Sequence, residues 1–255
     1  MDQTPDGGAS ERMGESNGQT IRGLEIYDEI KAQLEKECPK TVSCADIIAY
    51  AAREAVVLAG LPRYDVTAGR LDSRTSRADD ADTELPTPNT EFQEVVHQFE
   101  KRQLSIEDLV ALSGGHSIGQ SQCVRFVDRL YKYRPGVPRD PSIDPAYAAE
   151  LAKKCPENRG GKDKEINFLV EFDPVTPLKL DNQYYLNLQK KKGLLPTDQV
   201  LLTDPRTAPL VNQMAADNEG WGKKFNAAMQ KMGRVGVLTD KEDGEIRINC
   251  RARNN

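Results

Sequence analysis

The chain has 255 residues, 38% of them hydrophobic, and a formal net charge of -5. That length buries a substantial core without staples, and charges of both signs interspersed along it exclude an electrostatic surface built for nucleic acid or anionic lipid, leaving a small-molecule partner. No apolar run nears the roughly 20 residues needed to span a bilayer, and Met1-Asp2-Gln3-Thr4 lacks the basic then apolar start of a signal peptide, which predicts no membrane span and no export signal in this chain.

Residues 1–19 are polar, glycine-rich and without period, so they read as loop. Ile26, Ile30 and Leu34 recur every four residues and predict one face of a helix that ends before Pro39. Ser43-Cys44-Ala45-Asp46 is a capping-box pattern that opens an alanine-rich helix stopped by Gly60 and Pro62. A turn-rich stretch follows over 63–89, then a helix over 90–101, and Ser105 to Asp108 caps another that runs into "LSGGHSIGQSQC", 112–123. Helix is expected again over 119–131, then a Pro/Gly loop, "YRPGVPRDPSIDP", too long for a simple connector. Helical patterns return over 182–191, 209–216 and 221–232, the last with Trp221, Phe225, Ala228, Met229 and Met232 on one face and Gly233 as its stop. Strand-like alternation is scarce, "GEIRINC" being the best candidate, so the fold class is mainly α.

Five cysteines, Cys38, Cys44, Cys123, Cys155 and Cys250, include no C-x-x-C pair. They read either as buried thiols or as disulfide cysteines with one partner missing, since the count is odd.

The glycine-rich motif admits two readings. Gly115-His116-Ser117-Ile118-Gly119 matches the G-x-S-x-G elbow of serine hydrolases, with Ser117 as nucleophile. That elbow needs a strand leading into the serine and a histidine later in the chain; here a capped helix leads in, and no histidine follows His116. The other reading makes His116 the working residue. Gly114, Gly115 and Gly119 remove side chains around one imidazole and leave room for a large flat group such as haem, which several protein classes hold by a single histidine. The second histidine, His97, lies among charged neighbours and reads as a solvated helical face.

Together "TVSCADIIAYAARE", "LSGGHSIGQSQC", "LDNQYYLNL", "KKGLLPTDQVLL" and "GEIRINCR", spread from about Glu11 to Arg251, resemble the plant class III secretory haem peroxidases. The resemblance implies a mainly α haem peroxidase fold, with haem b and Ca²⁺ as cofactors. It makes His116 the haem-iron ligand and Asp198 the acceptor of its Nδ1 proton, a pairing that orients the imidazole and strengthens it as a donor. Ser117, Asp173, Thr176, the carbonyl of Lys179 and Asp181 correspond to a calcium site of oxygen ligands, Ser117 replacing the usual threonine. Implied disulfides join Cys44 to Cys250 and Cys123 to Cys155, leaving Cys38 unpaired. Asp46 and Arg70 match a structural ion pair, and Pro86 in "LPTPNT" a residue of the donor pocket.

The family's R-x-x-F-H-D-C pattern, which carries the distal histidine and arginine, does not occur here. Glu11 and Asn17 match the residues that support that histidine. The resulting expectation is an N-terminally truncated peroxidase fold, with residues 1–19 a loop remnant of the distal side and 20–255 a domain complete on the proximal side only. The implied function is H₂O₂-dependent one-electron oxidation of small phenolic donors, in response to oxidative stress and for peroxide removal, by a secreted, extracellular or vacuolar monomer that binds neither nucleic acid nor membrane. Loss of a distal acid/base costs about 10²- to 10⁴-fold, so the alternative is a non-catalytic haem and calcium binder.

Overall fold

The computed structural model describes residues 2, 4, 7–15, 17, 21–157 and 168–254. The chain divides into two compact units, one made of Met1–Val57, Arg63–Thr87 and Gln230–Asn255, the other of Leu58–Pro62 and Pro88–Met229. Among the described residues no helix is long and apolar enough to cross a membrane.

The first unit contains α1 (Leu24–Glu37), most of α2 (Cys44–Leu58), β1 (Asp72–Ser73), α3 (Ala78–Glu84) and β4 (Gly244–Glu245). The start of α2 is held twice. Ser43 Oγ accepts from the Asp46 N–H, and the buried Asp72 carboxylate accepts from the N–H groups of Cys44 and Ala45, so the orphan donors of the first turn find partners both locally and 27 residues away. Asp46 then has its own carboxylate free to pair with Arg70 at 3.0 Å, rather than closing the capping box. β1 pairs antiparallel with β4, and Cys44 is bonded to Cys250 beside that ribbon. Cys38 stands at the C-terminal end of α1 without a disulfide. The apolar face of α1 is largely open: Ile26 and Ile30 are exposed, and the residue α1 buries is Lys31, whose ammonium reaches Glu35 and the Val42 carbonyl.

The second unit contains α4 (Phe92–Lys101), α5 (Ile106–Ser113), β2 (Gln120–Gln122), α6 (Asp128–Tyr131), α7 (Pro145–Lys154), β3 (Leu169–Glu171), α8 (Gln183–Gln189), α9 (Pro196–Thr203), α10 (Ala208–Ala216) and residues 218–229 of α11 (Asn218–Met232). The mainly α expectation holds in both units. The continuous helix expected over 119–131 does not form. Gly119 adopts a φ of +88°, and Gln120, Ser121 and Gln122 pair with Glu171, Val170 and Leu169, a ladder that local periodicity cannot announce. One core of this unit gathers Phe126, Leu130, Ile143, Tyr147, Leu151 and Leu194 around the Cys123–Cys155 disulfide. Each of the Phe, Leu and Ile side chains contributes about 1.5–3 kcal/mol on burial.

The long Pro/Gly loop has a structural task. It brings Asp140, 3% exposed, against Arg129, 2% exposed, with Nε to Oδ2 at 2.7 Å. The same guanidinium donates to the carbonyls of Gly193 and Leu194 and to Ser142 Oγ, so Arg129 clamps the segment that leads into α9.

Candidate functional site

Three segments of the second unit meet at His116. A complete capping box between Ser105 and Asp108 starts α5, and the helix runs directly into a 3₁₀ turn, Gly114–Ser117, that carries the imidazole. The glycines serve different ends. A Cβ on Gly114 would lie 2.6 Å from the Tyr185 hydroxyl and 2.7 Å from the Trp221 indole nitrogen, whereas Gly115 and Gly119 have room for one, Gly119 being required instead by its positive φ.

The ring of His116 lies flat on Phe172, with centroids 4.1 Å apart and planes within 3°. Its Nδ1 is 2.8 Å from Asp198 Oδ1. Asp198 is the third residue of α9, after a proline suited to the first turn, and its Oδ2 reaches back to accept the Leu195 N–H at 2.9 Å. Tyr184, on α8, donates its hydroxyl to Oδ1 at 3.0 Å, the same oxygen that faces His116. Asp198 is buried while the His116 side chain is 38% exposed, so the pair is sealed on the carboxylate side and open on the ring side. Nε2 is therefore the nitrogen left for a ligand.

Electrostatics agree with the geometry. Burial disfavours charge on both partners; for His116 the charge and hydrogen bond of Asp198 outweigh it and hold the ring above its ordinary pKa. For Asp198, burial is likewise overcome by His116, with help from the Leu195 N–H and Tyr184, and the carboxyl is held below its ordinary range.

A second cluster starts at the next residue. Ser117, fully buried, donates to the Lys179 carbonyl at 3.0 Å and lies 3.4 Å from Asp181 Oδ1. Thr176 Oγ1 is 3.0 Å from Asp173 Oδ2 and 3.2 Å from Asp181 Oδ1. Asp173 Oδ1 also accepts from Asn187, and the Lys179 ammonium stands 3.4 Å from Asp181 Oδ2, supplying positive charge to the cluster. Among the described residues no three His, Cys, Asp or Glu side chains group for a metal, so this assembly rests on two carboxylates, two hydroxyls and a carbonyl, a hard oxygen set. Ser117 is thus committed to a carbonyl, inside a turn that follows a helix, and the hydrolase elbow is absent.

The remaining candidates lie elsewhere. His97 is exposed on α4. In the first unit Glu11 opens a short 3₁₀ turn, its N–H on Ser76 Oγ, and Asn17 Nδ2 donates to the Glu11 carbonyl at 2.9 Å, so these two are brought together. Pro86 is exposed just after α3. Phe172 and Tyr184 were not singled out by the sequence reading; the only signal for Tyr184 was its place in "LDNQYYLNL".

The profile of the family described as Peroxidase matches residues 3–217. "Peroxidase 5" of Vitis vinifera is 42% identical over 254 residues, covering 100% of this chain and 75% of that protein. "Peroxidase C2" of Armoracia rusticana is 42% identical and "Peroxidase 37" of Arabidopsis thaliana 45%, each covering 93% of this chain and 68% of the relative. These matches correct the expectation of an N-terminally truncated fold missing its distal part. The family profile opens at residue 3, and the ordered helices α1 and α2 occupy the N-terminal region. With its motifs, its mainly α fold and its relatives in agreement, the chain belongs to the peroxidase family, among the class III plant peroxidases.

Proposed function

We propose that this chain binds haem b through His116 Nε2 and Ca²⁺ through the Ser117–Asp181 cluster, and works as a peroxidase that uses H₂O₂ to oxidise small phenolic donors. The observation that carries this reading is the His116–Asp198 hydrogen bond of 2.8 Å on a ring whose other nitrogen is open. The residues fit the group: a neutral imidazole with its tautomer set by a buried carboxylate is the arrangement a ligating histidine needs. When bound, haem supplies the redox chemistry of peroxide cleavage and of one-electron withdrawal from the donor.

The chain's own residues do the rest. Asp198 accepts the Nδ1 proton, which fixes Nε2 as the ligand and makes the ring a stronger donor. Phe172, stacked on the ring, prevents its rotation and keeps water from that face. Ca²⁺ fits the hard oxygen set, and because Ser117 follows His116 directly, a cation held there stiffens the turn that carries the imidazole. Within the first unit Glu11 and Asn17 are joined by a hydrogen bond; by resemblance they match residues that support a distal histidine, and Pro86 matches a donor-contact residue. Two disulfides support an oxidising compartment, hence a secreted, extracellular or vacuolar protein; a monomer is what the resemblance implies.

A second reading, haem and calcium binding without turnover, is favoured by one observation: the chain has two histidines, and the other, His97, is exposed on α4. The test is reconstitution with haemin and Ca²⁺, followed by H₂O₂-dependent oxidation of a simple phenol. Turnover above free haemin that His116→Ala abolishes supports the peroxidase; His116-dependent haemin binding with turnover no better than free haemin establishes the second reading.

A further inference from the structure

We propose that Tyr184 is a positioning residue that sets how strongly Asp198 pulls on the Nδ1 proton of His116. The two donors share one oxygen. Asp198 Oδ1 faces His116 Nδ1 at 2.8 Å and Tyr184 Oη at 3.0 Å, while Oδ2 is taken by the Leu195 N–H at 2.9 Å. A second donor on an acceptor oxygen draws electron density from it, so the phenol weakens the bond to the imidazole. Tyr184 thereby limits the imidazolate character of the ring and, through it, the donor strength at Nε2.

Tyr184 is built for this rather than placed by chance. It is 3% exposed, its ring stands edge-on to His116 at 6.3 Å and to Tyr185 at 5.0 Å, and Tyr185 is itself anchored by its hydroxyl to the Val110 and Ala111 carbonyls. Burial first and the Asp198 charge second hold the Tyr184 phenol well above its ordinary pKa, so it remains a donor at working pH. Asp198 does not depend on it for position, because the Leu195 N–H and the first turn of α9 hold the carboxylate. Removing the hydroxyl therefore frees Oδ1 for His116 without releasing Asp198.

The inference rests on the haem reading only for its consequence at the iron; the competition for Oδ1 belongs to the chain itself. The test is the Nδ1–H proton resonance of His116 in the full haem-free chain, assigned by its loss in His116→Ala, in wild type and Tyr184→Phe. The resonance is expected to move downfield in Tyr184→Phe, as a strengthened hydrogen bond requires. If that variant does not fold, the wild-type sequence made with 3-fluorotyrosine, a more acidic phenol and stronger donor, is expected to shift it upfield. In the haemin-loaded proteins the Fe(III)/Fe(II) potential of Tyr184→Phe is expected to fall below that of wild type. An unmoved Nδ1–H resonance, or an upfield shift in Tyr184→Phe, overturns the inference. The expected shift together with no His116-dependent haemin binding overturns the haem reading and leaves the role of Tyr184 standing.

Discussion

Two buried aspartates of the second unit, Asp140 and Asp198, contrast in what their cationic or potentially cationic partners do. Arg129 and Asp140 are 2% and 3% exposed, and the guanidinium donates to Asp140, two carbonyls and a hydroxyl. At His116 and Asp198 the carboxylate is as deeply buried, but the ring is 38% exposed and one nitrogen is open. The Arg129–Asp140 pair fixes the chain around it, through the carbonyls of Gly193 and Leu194; a pair closed on the acid side only leaves a ring nitrogen for a ligand. Burial of the acid is common to both, so the exposure of the partner separates the structural pair from the functional one.

The largest effect should come from breaking the sealed pair. Arg129→Ala leaves Asp140 buried and unpaired and is expected to cost about 3–5 kcal/mol in urea unfolding, whereas Arg129→Met combined with Asp140→Leu should recover most of that loss. If the double variant is no better than the single one, the pair does more than satisfy itself. Next is Asp198→Ala, expected to weaken haemin affinity about 10- to 100-fold, as loss of a ligand's supporting carboxylate does; an unchanged affinity would place Asp198 with the structural pairs.

Smaller effects separate the two pairs by pH. Burial raises the Asp140 pKa, but hydrogen bonds from Ser142 and Arg129 win and hold it below the ordinary 3.8. Its contribution to stability is therefore complete above about pH 3.8 and lost as pH falls through the folded value. The His116 pKa lies above the ordinary 6.5, so its contribution in the haem-free chain is complete below 6.5 and lost as pH rises through the folded value. Urea unfolding against pH should show His116→Ala flattening the alkaline limb and the Arg129→Met, Asp140→Leu variant flattening part of the acid limb. Smallest is calcium: added Ca²⁺ should raise the unfolding midpoint of wild type by mass action and do so less in Asp181→Asn, where the cluster keeps its shape but loses a charge.

The helices of strong period or clear capping were legible in the sequence. Ser105-x-x-Asp108 opens α5, and of the apolar face expected in α11 Trp221, Phe225 and Ala228 are buried, Met229 is half-buried and Met232 is exposed. Of the glycines around His116, Gly114 does not open space for a ligand. It answers instead to Tyr185 and Trp221, which arrive from elements 71 and 107 residues further on. For the same reason Phe172, Tyr184 and the Arg129–Asp140 clamp escaped notice: a stacked ring, a shared carboxylate oxygen and a buried cation are facts of packing between distant segments, and no local period encodes them. The absent R-x-x-F-H-D-C pattern suggested a truncated fold, and the family match from residue 3 corrected it.

The central claim is that His116 is an open, carboxylate-tuned ligand for haem. Titrating the purified chain with haemin while following the Soret band, beside His116→Ala, tests it most directly. A saturable shift is expected in wild type, with one haemin per chain, and its loss in the variant; no shift in wild type, or the same shift in both proteins, would rule out His116 as the ligand.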